Sequence, residues 1–232
     1  MIYVQIIGTA ANWSAPFKTK GIKKFTSIYF KTDKKIQIDT GNRYDGRKLD
    51  GVLITHLHED HFKAHKTYPL NIIFYLPSPS FLSAVSPSRV CKVFKDKITL
   101  GKTKILAFPV FHSSTTETFG FKISYKGTSF LYLPDYYAPY YYSPFKNTDY
   151  YFLGASSMRK DITHKGFRTG QRSISNFLKF LKNRNLFPKK KTYLIHFGLP
   201  MFPLDKKLKV LQKEFPEFNL NPTHDGQIIF LK

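Results

Sequence analysis

One stretch constrains this chain more than any other. A short apolar run, Gly51-Val52-Leu53-Ile54, leads directly into Thr55-His56-Leu57-His58-Glu59-Asp60-His61. Three histidines and two acids fall within six positions at the end of a predicted strand. A lone histidine is usually a core or surface residue. Imidazoles and carboxylates bunched in a loop are natural ligands for zinc or a related divalent ion. In an extended or turning loop His56 and His58 point to one side. Asp60 and His61 then reach a second point about 3.5–4 Å away, the spacing of two-metal hydrolytic sites.

The rest of the pattern says what carries this loop. MIYVQIIG alternates and ends at a glycine turn. FTSIYFKT and KKIQIDTG read as a hairpin turning near Thr32-Asp33-Lys34. NIIFYLP, CKVFKD, KITLGKTKILAFPVF, GFKISYKG and TSFLYLPD continue the strand-rich run. Helical spacing appears at 171–185, with apolar residues at 174, 177, 178 and 181, and again at 204–215. KKTYLIHFG and GQIIFLK return to strand. Sheets inside and helices outside make an α/β layered sandwich the expected fold, with residues 1–232 as a single domain.

Composition narrows the class. At 42% hydrophobic residues the chain can build a sizeable core. The single Cys91 excludes a disulfide framework and a cysteine-rich zinc site. With no long apolar run and no basic-then-apolar leader, the expectation is a cytoplasmic protein without a membrane span. Lys and Arg number 37 against 15 Asp and Glu, a net charge of +22. Only four glutamates are present, too few for ion-pair networks built on Lys and Glu. Such a surface steers anionic substrates or polyanions. Compositional drift toward Lys, Tyr, Phe and Ile is the plainer account, and both stay open.

The HxHxDH pattern after an apolar strand resembles that of the metallo-β-lactamase superfamily, and the resemblance runs the full length. Gly8-Thr9-Ala10 and Ile38-Asp39-Thr40-Gly41 look like the motifs that precede HxHxDH. Phe111-His112-Ser113, Leu133-Pro134-Asp135 and Leu194-Ile195-His196-Phe197-Gly198 look like the third-histidine, bridging-aspartate and last-histidine motifs. The resemblance implies a four-layer αββα sandwich and two divalent metal ions, zinc or alternatively manganese. His56, His58 and His112 would hold the first metal. Asp60, His61 and His196 would hold the second, with Asp135 bridging and a bridging hydroxide as nucleophile. Asp39 would orient a ligand histidine or the loop, or serve only as a turn carboxylate before Gly41.

Ligand identity prunes the branches. The oxygen-reducing diiron members carry Glu where His58 stands, and the commonest zinc β-lactamases carry Cys where Asp135 stands. Phosphodiesterases, thioesterases and lactonases remain. His164 favours the first, because tRNase Z and the carbon–phosphorus lyase phosphodiesterase carry a leaving-group histidine ahead of the helix that leads to the last histidine. Only 22 residues, 113 to 134, separate His112 from Asp135. The long tRNA-gripping arm of tRNase Z does not fit there. Thr223-His224-Asp225-Gly226 is read first as a turn before a strand and second as active-site support. Tyr136, Tyr137, Tyr140, Tyr141 and Tyr142 follow Asp135. They either stack on bases or pack between subunits of a homodimer. The expected function is a two-metal phosphodiesterase acting on a nucleotide-like, even cyclic, diester. An RNA endonuclease, a thioesterase or lactonase, and a nucleic-acid-binding protein with a vestigial site are the alternatives.

Overall fold

The computed structural model describes residues 1–11, 22–163 and 170–232. In chain order the strands are β1 Ile2–Gly8, β2 Ser27–Lys31, β3 Lys35–Ile38, β4 Gly51–Leu53, β5 Phe74–Leu76 and β6 Cys91–Val93. There follow β7 Lys97–Leu100, β8 Thr103–Phe111, β9 Thr118–Tyr125, β10 Thr128–Leu133, β11 Ala138–Pro139 and β12 Tyr150–Gly154. The last are β13 Ile162–Thr163, β14 Gly170–Gln171, β15 Lys191–Ile195, β16 Leu220–Pro222 and β17 Ile228–Leu231. Among the described residues three α-helices join them: α1 Glu59–Phe62, α2 Ile174–Lys182 and α3 Leu204–Glu214.

Two mixed sheets form, ordered β17-β1-β2-β3-β4-β5-β6 and β11-β8-β9-β10-β12-β15-β16, with β7 on β8. Each repeats one pairing plan. Three antiparallel strands (β1-β2-β3 and β8-β9-β10) are extended by three parallel ones (β4-β5-β6 and β12-β15-β16). No sequence repeat announces this duplication. Parallel strands and the strands leading into them end on the same side, and ligand-bearing loops gather at such carboxyl ends.

Burial follows the strand period of two. Val4, Ile6, Ile28, Phe30, Ile36 and Ile38 of the first sheet meet Ile105, Phe121, Ile123, Phe130, Tyr132 and Phe152 of the second in the inter-sheet core. The second sheet's outer face, with Leu131, Leu133, Tyr151 and Leu153, packs on Ile174, Phe177, Leu178 and Leu181 of α2 and on Leu208 and Leu211 of α3. The Ser173 hydroxyl caps α2 by accepting from the Asn176 amide. The first sheet's outer face is covered differently. Val52, Ile54, Phe74 and Leu76 lie under the single-turn α1 and 3₁₀ turns carrying Ala64 and Phe81. The αββα order holds, but one outer layer is made of turns.

The predicted elements are present with shifted ends. The 97–111 run is two strands separated by a turn at Gly101, where φ is +61°. The predicted helix 171–185 begins at Ile174, because Gln171 is held in a β-bridge to Ile162. Among the described residues no helix is long and apolar enough to cross a membrane.

Gly154 closes β12 where it runs beside the Pro134-Asp135 segment. A Cβ there would lie 1.8 Å from the Pro134 carbonyl oxygen. Backbone on both sides must then move. Gly154→Ala is expected to cost about 1–3 kcal/mol, the usual range for overpacking, and to lower the urea midpoint accordingly. An unchanged midpoint would contradict this close approach.

Candidate metal centre

Most of the ligand-type side chains sit just beyond a strand end. Asp39 follows β3, His56 and His58 follow β4, His112 follows β8, Asp135 follows β10 and His196 follows β15. Asp60 and His61 lie on α1, so the second half of the HxHxDH loop is helical rather than extended. Two groups result: His56, His58 and His112; and Asp60, His61, Asp135 and His196. Their ligand atoms lie within 4.8 Å of one another in each group, and either could hold a metal ion. His56 Nε2 and His112 Nε2 stand 3.0 and 3.2 Å from His58 Nδ1. Around a tetrahedral zinc with bonds of about 2.0–2.1 Å, neighbouring nitrogens lie about 3.3 Å apart. Asp135 lies between the groups. Its Oδ2 is 2.8 Å from His61 Nε2 and 3.5 Å from His56 Nε2, and its Oδ1 is 3.0 Å from His196 Nε2.

The far side of four of the five rings is anchored, all but that of His58. His56 Nδ1 donates to Thr55 Oγ1, whose own proton goes to Asp39. His61 Nδ1 donates to Asp39 Oδ2 at 2.7 Å. His112 Nδ1 donates to the Gly170 carbonyl at 2.8 Å, and His196 Nδ1 to Thr26 Oγ1 at 2.9 Å. With Nδ1 protonated, four Nε2 lone pairs face inward, the state a metal requires. His61 Nε2 is buried and faces Asp135 Oδ2 at 2.8 Å, so with the ring proton on Nδ1 two acceptor atoms are turned on one another. Two buried acceptors so close are costly unless a positive charge lies between them, so the donor set fits a cation. Asp39 and His196 adopt left-handed φ of +60° and +54°. Strain of this kind persists where the surroundings hold a side chain to one direction.

Electrostatics agree. Burial, together with the neighbouring imidazoles, pushes His56 well below the ordinary histidine range and His58 down to about 4, leaving both neutral. Burial would lower His61 as well, but Asp60 and Asp39 raise it well above that range. Burial would raise Asp135, yet His196 and His112 hold it well below the usual carboxylate range. The second group is therefore strongly anionic in the absence of a proton on His61.

The remaining predicted residues divide. Asp39 is the orienting group and not merely a turn carboxylate, since it also receives the Thr55 amide. Asp225 accepts from the Thr9 amide and hydroxyl and from the Lys23 and Lys24 amides. It thereby pins the segment whose Ala10 bridges Phe25 and Phe197, next to Thr26 and His196. His224 is exposed and its Nδ1 lies 3.1 Å from the Asp225 carbonyl. Base stacking by Tyr136 is overturned. The ring is fully buried against Phe177 and its hydroxyl donates to the Gly154 carbonyl. Tyr137 is half-buried beneath the Arg172 guanidinium. His164 lies outside the described residues. Sequence reading missed Thr26 and Gly170; a backbone carbonyl carries no signal in residue type.

Asp39→Asn tests the anchoring. The amide nitrogen would donate to His61 Nδ1, moving the ring proton to Nε2 and blocking that lone pair. Metal affinity is expected to fall about 10–100-fold, read by competition with a chromogenic chelator. Wild-type affinity would remove Asp39 from this role.

No protein-family model and no curated protein sequence matches the chain. Solved structures do. A metallo-β-lactamase fold protein from Bacillus subtilis, YhfI, is 16% identical over 99% of this chain and 100% of its own, with a TM-score of 0.69. A diphosphatase of the PhnP family is 18% identical over 100% and 98%, TM-score 0.71. Short-form human tRNase Z is 17% identical over 99% of each, TM-score 0.65. An isothiocyanate hydrolase from Delia radicum gut bacteria and a diiron β-hydroxylase from Streptomyces venezuelae share the architecture too, so the fold does not select the reaction. The chain has the metallo-β-lactamase fold.

Proposed function

We propose that the chain is a two-metal phosphodiesterase that hydrolyses a nucleotide-like diester. The observation that carries this reading is the pair of adjoining ligand groups on either side of Asp135. His56, His58 and His112 would hold one divalent ion, Asp60, His61 and His196 the other, with Asp135 between them; zinc suits the donors, and manganese is the alternative. Ions bound there would supply a nucleophile from water at neutral pH and offset the charge of a phosphodiester.

The chain's own residues do the rest. Thr55, Asp39, Thr26 and the Gly170 carbonyl hold the rings so that no reorganisation is needed when charge develops. His58 is the least buried ligand, so substrate would approach from its side. The net charge of +22 favours an anionic diester over a neutral thioester or lactone. The interval between His112 and Asp135 is filled by a short loop and the β9–β10 hairpin. It has no room for a gripping arm, which disfavours the tRNase Z type of endonuclease.

His164 is proposed to protonate the leaving oxygen, on the strength of its sequence position. The flanking strands β13 and β14 pair with each other. Gly170 exchanges hydrogen bonds with His112 through both its amide and its carbonyl.

A panel of bis-p-nitrophenyl phosphate, cyclic mononucleotides, a tRNA precursor and a thioester tests the assignment. Diester turnover lost in His58→Ala is expected. Thioester turnover alone would contradict it. His164→Ala should slow nucleotide diesters by about 10²–10⁴-fold, the usual worth of general acid catalysis. It should slow p-nitrophenyl diesters far less, because p-nitrophenolate leaves without a proton. No slowing of either substrate would remove His164 from the chemistry.

A further inference from the structure

Beside the centre runs an alternating series of rings and guanidiniums. Arg172 lies 5.0 Å over the Tyr137 ring and 5.4 Å from Phe180. Arg184 lies 3.7 Å over Phe180 and 5.4 Å from Tyr142, and Tyr142 is 5.1 Å from Phe180. The order is Tyr137, Arg172, Phe180, Arg184, Tyr142. Arg184 is exposed and the other four are half-buried. Residues 172 and 184 bracket α2, and both guanidiniums reach the Phe180 ring between them. Past Tyr142 the series opens into a cleft of about 300 Å³ lined by Lys146, Asn147, Arg184, Asn185 and Lys189. At its near end it is tied to the ligand segments. The Tyr137 amide donates to the Phe111 carbonyl, next to His112, and the Arg172 amide to the Tyr136 carbonyl, next to Asp135.

No ion pair among the described residues uses Arg172, Arg184, Lys146 or Lys189. The carboxylates nearby are engaged elsewhere: Asp161 with the Ser173 amide and Asn176, Glu217 with Lys182. A guanidinium held over a ring by cation–π attraction keeps N–H groups for phosphate. Fastening α2 would need neither two unpaired arginines nor a basic cleft at the end of the row.

We infer that this strip binds a single strand of nucleic acid leading away from the metal centre, with phosphates on Arg172, Arg184 and the Lys146–Lys189 cleft, and unpaired bases against the Tyr137 and Tyr142 rings. Aromatic faces stack on unpaired bases without regard to sequence. Bases in a duplex are covered. An acidic protein segment would satisfy the cations and leave the rings unused. The inference rests on the phosphodiester reading only for where the strand leads.

Binding of a fluorescein-labelled ten-nucleotide single-stranded RNA, followed by anisotropy, tests it. The full chain carries His58→Ala, so the result does not depend on hydrolysis. Arg172→Lys with Arg184→Lys keeps the charge and loses the planar group; about fivefold weaker binding at unchanged melting temperature is expected. Arg172→Gln with Arg184→Gln should weaken binding tenfold or more. Two lost phosphate contacts should also flatten the slope of log K on log salt by about 1.4. Lys206→Gln with Lys209→Gln on α3 removes the same charge and should cost less than about twofold. The inference is overturned by the absence of RNA binding, by equal losses in the α3 control, or by equal binding of a duplex. Displacement of the RNA by polyglutamate as readily as by unlabelled RNA would also overturn it. Intact strand binding in a protein that hydrolyses no diester would leave the strip standing and remove the enzymatic reading.

Discussion

The centre depends on the Asp39 carboxylate. Fully buried, it accepts from the Thr55 amide, the Thr55 hydroxyl and His61 Nδ1, and through Thr55 it reaches His56. One side chain therefore sets the proton position on a ring from each ligand group. A buried carboxylate is tolerable only when its lone pairs are filled. Asp39 meets that condition with groups that themselves need a fixed acceptor. Its left-handed backbone, at φ +60°, turns the carboxylate back under the loop after β4. Thr40 holds the same loop from its far end, its amide and hydroxyl both donating to the His61 carbonyl.

Around that anchor the fold supplies convergence. Each sheet runs through the same antiparallel-then-parallel plan, so the ends of β3, β4, β8, β10 and β15 arrive at one edge of the sandwich. Ala10 stitches the halves together by bridging Phe25 and Phe197, and Asp225 holds the chain leading into it. The inter-sheet core of alternating aliphatic and aromatic residues makes the arrangement stiff. Stiffness matters because ligand atoms must be held to within a fraction of an ångström before any ion arrives.

What the sequence disclosed follows from what each residue does locally. His56, His58, Asp60 and His61 were legible because a contiguous run of ligand types at a strand end rarely serves anything but a cation. His112, Asp135 and His196 were legible only through resemblance, since each is a lone residue after a strand. Strand alternation and the period of α2 read correctly because burial imposes them. Tyr136 misled, because a tyrosine in a cluster looks the same whether its ring is exposed or, as here, seated on Phe177 with its hydroxyl on Gly154. Gly170 was invisible, because it acts through its backbone. The two-sheet duplication left no trace because pairing plans constrain periodicity and not residue identity.

The central claim is that two adjoining cation sites, sharing Asp135, are built into this chain before any substrate binds. Equilibrium dialysis of the metal-stripped 232-residue chain against zinc, with elemental analysis of the dialysed protein, tests it most directly. Two ions per chain are predicted at saturation, with Asp135→Ala lowering the occupancy of both. A single ion, or none, would contradict the account.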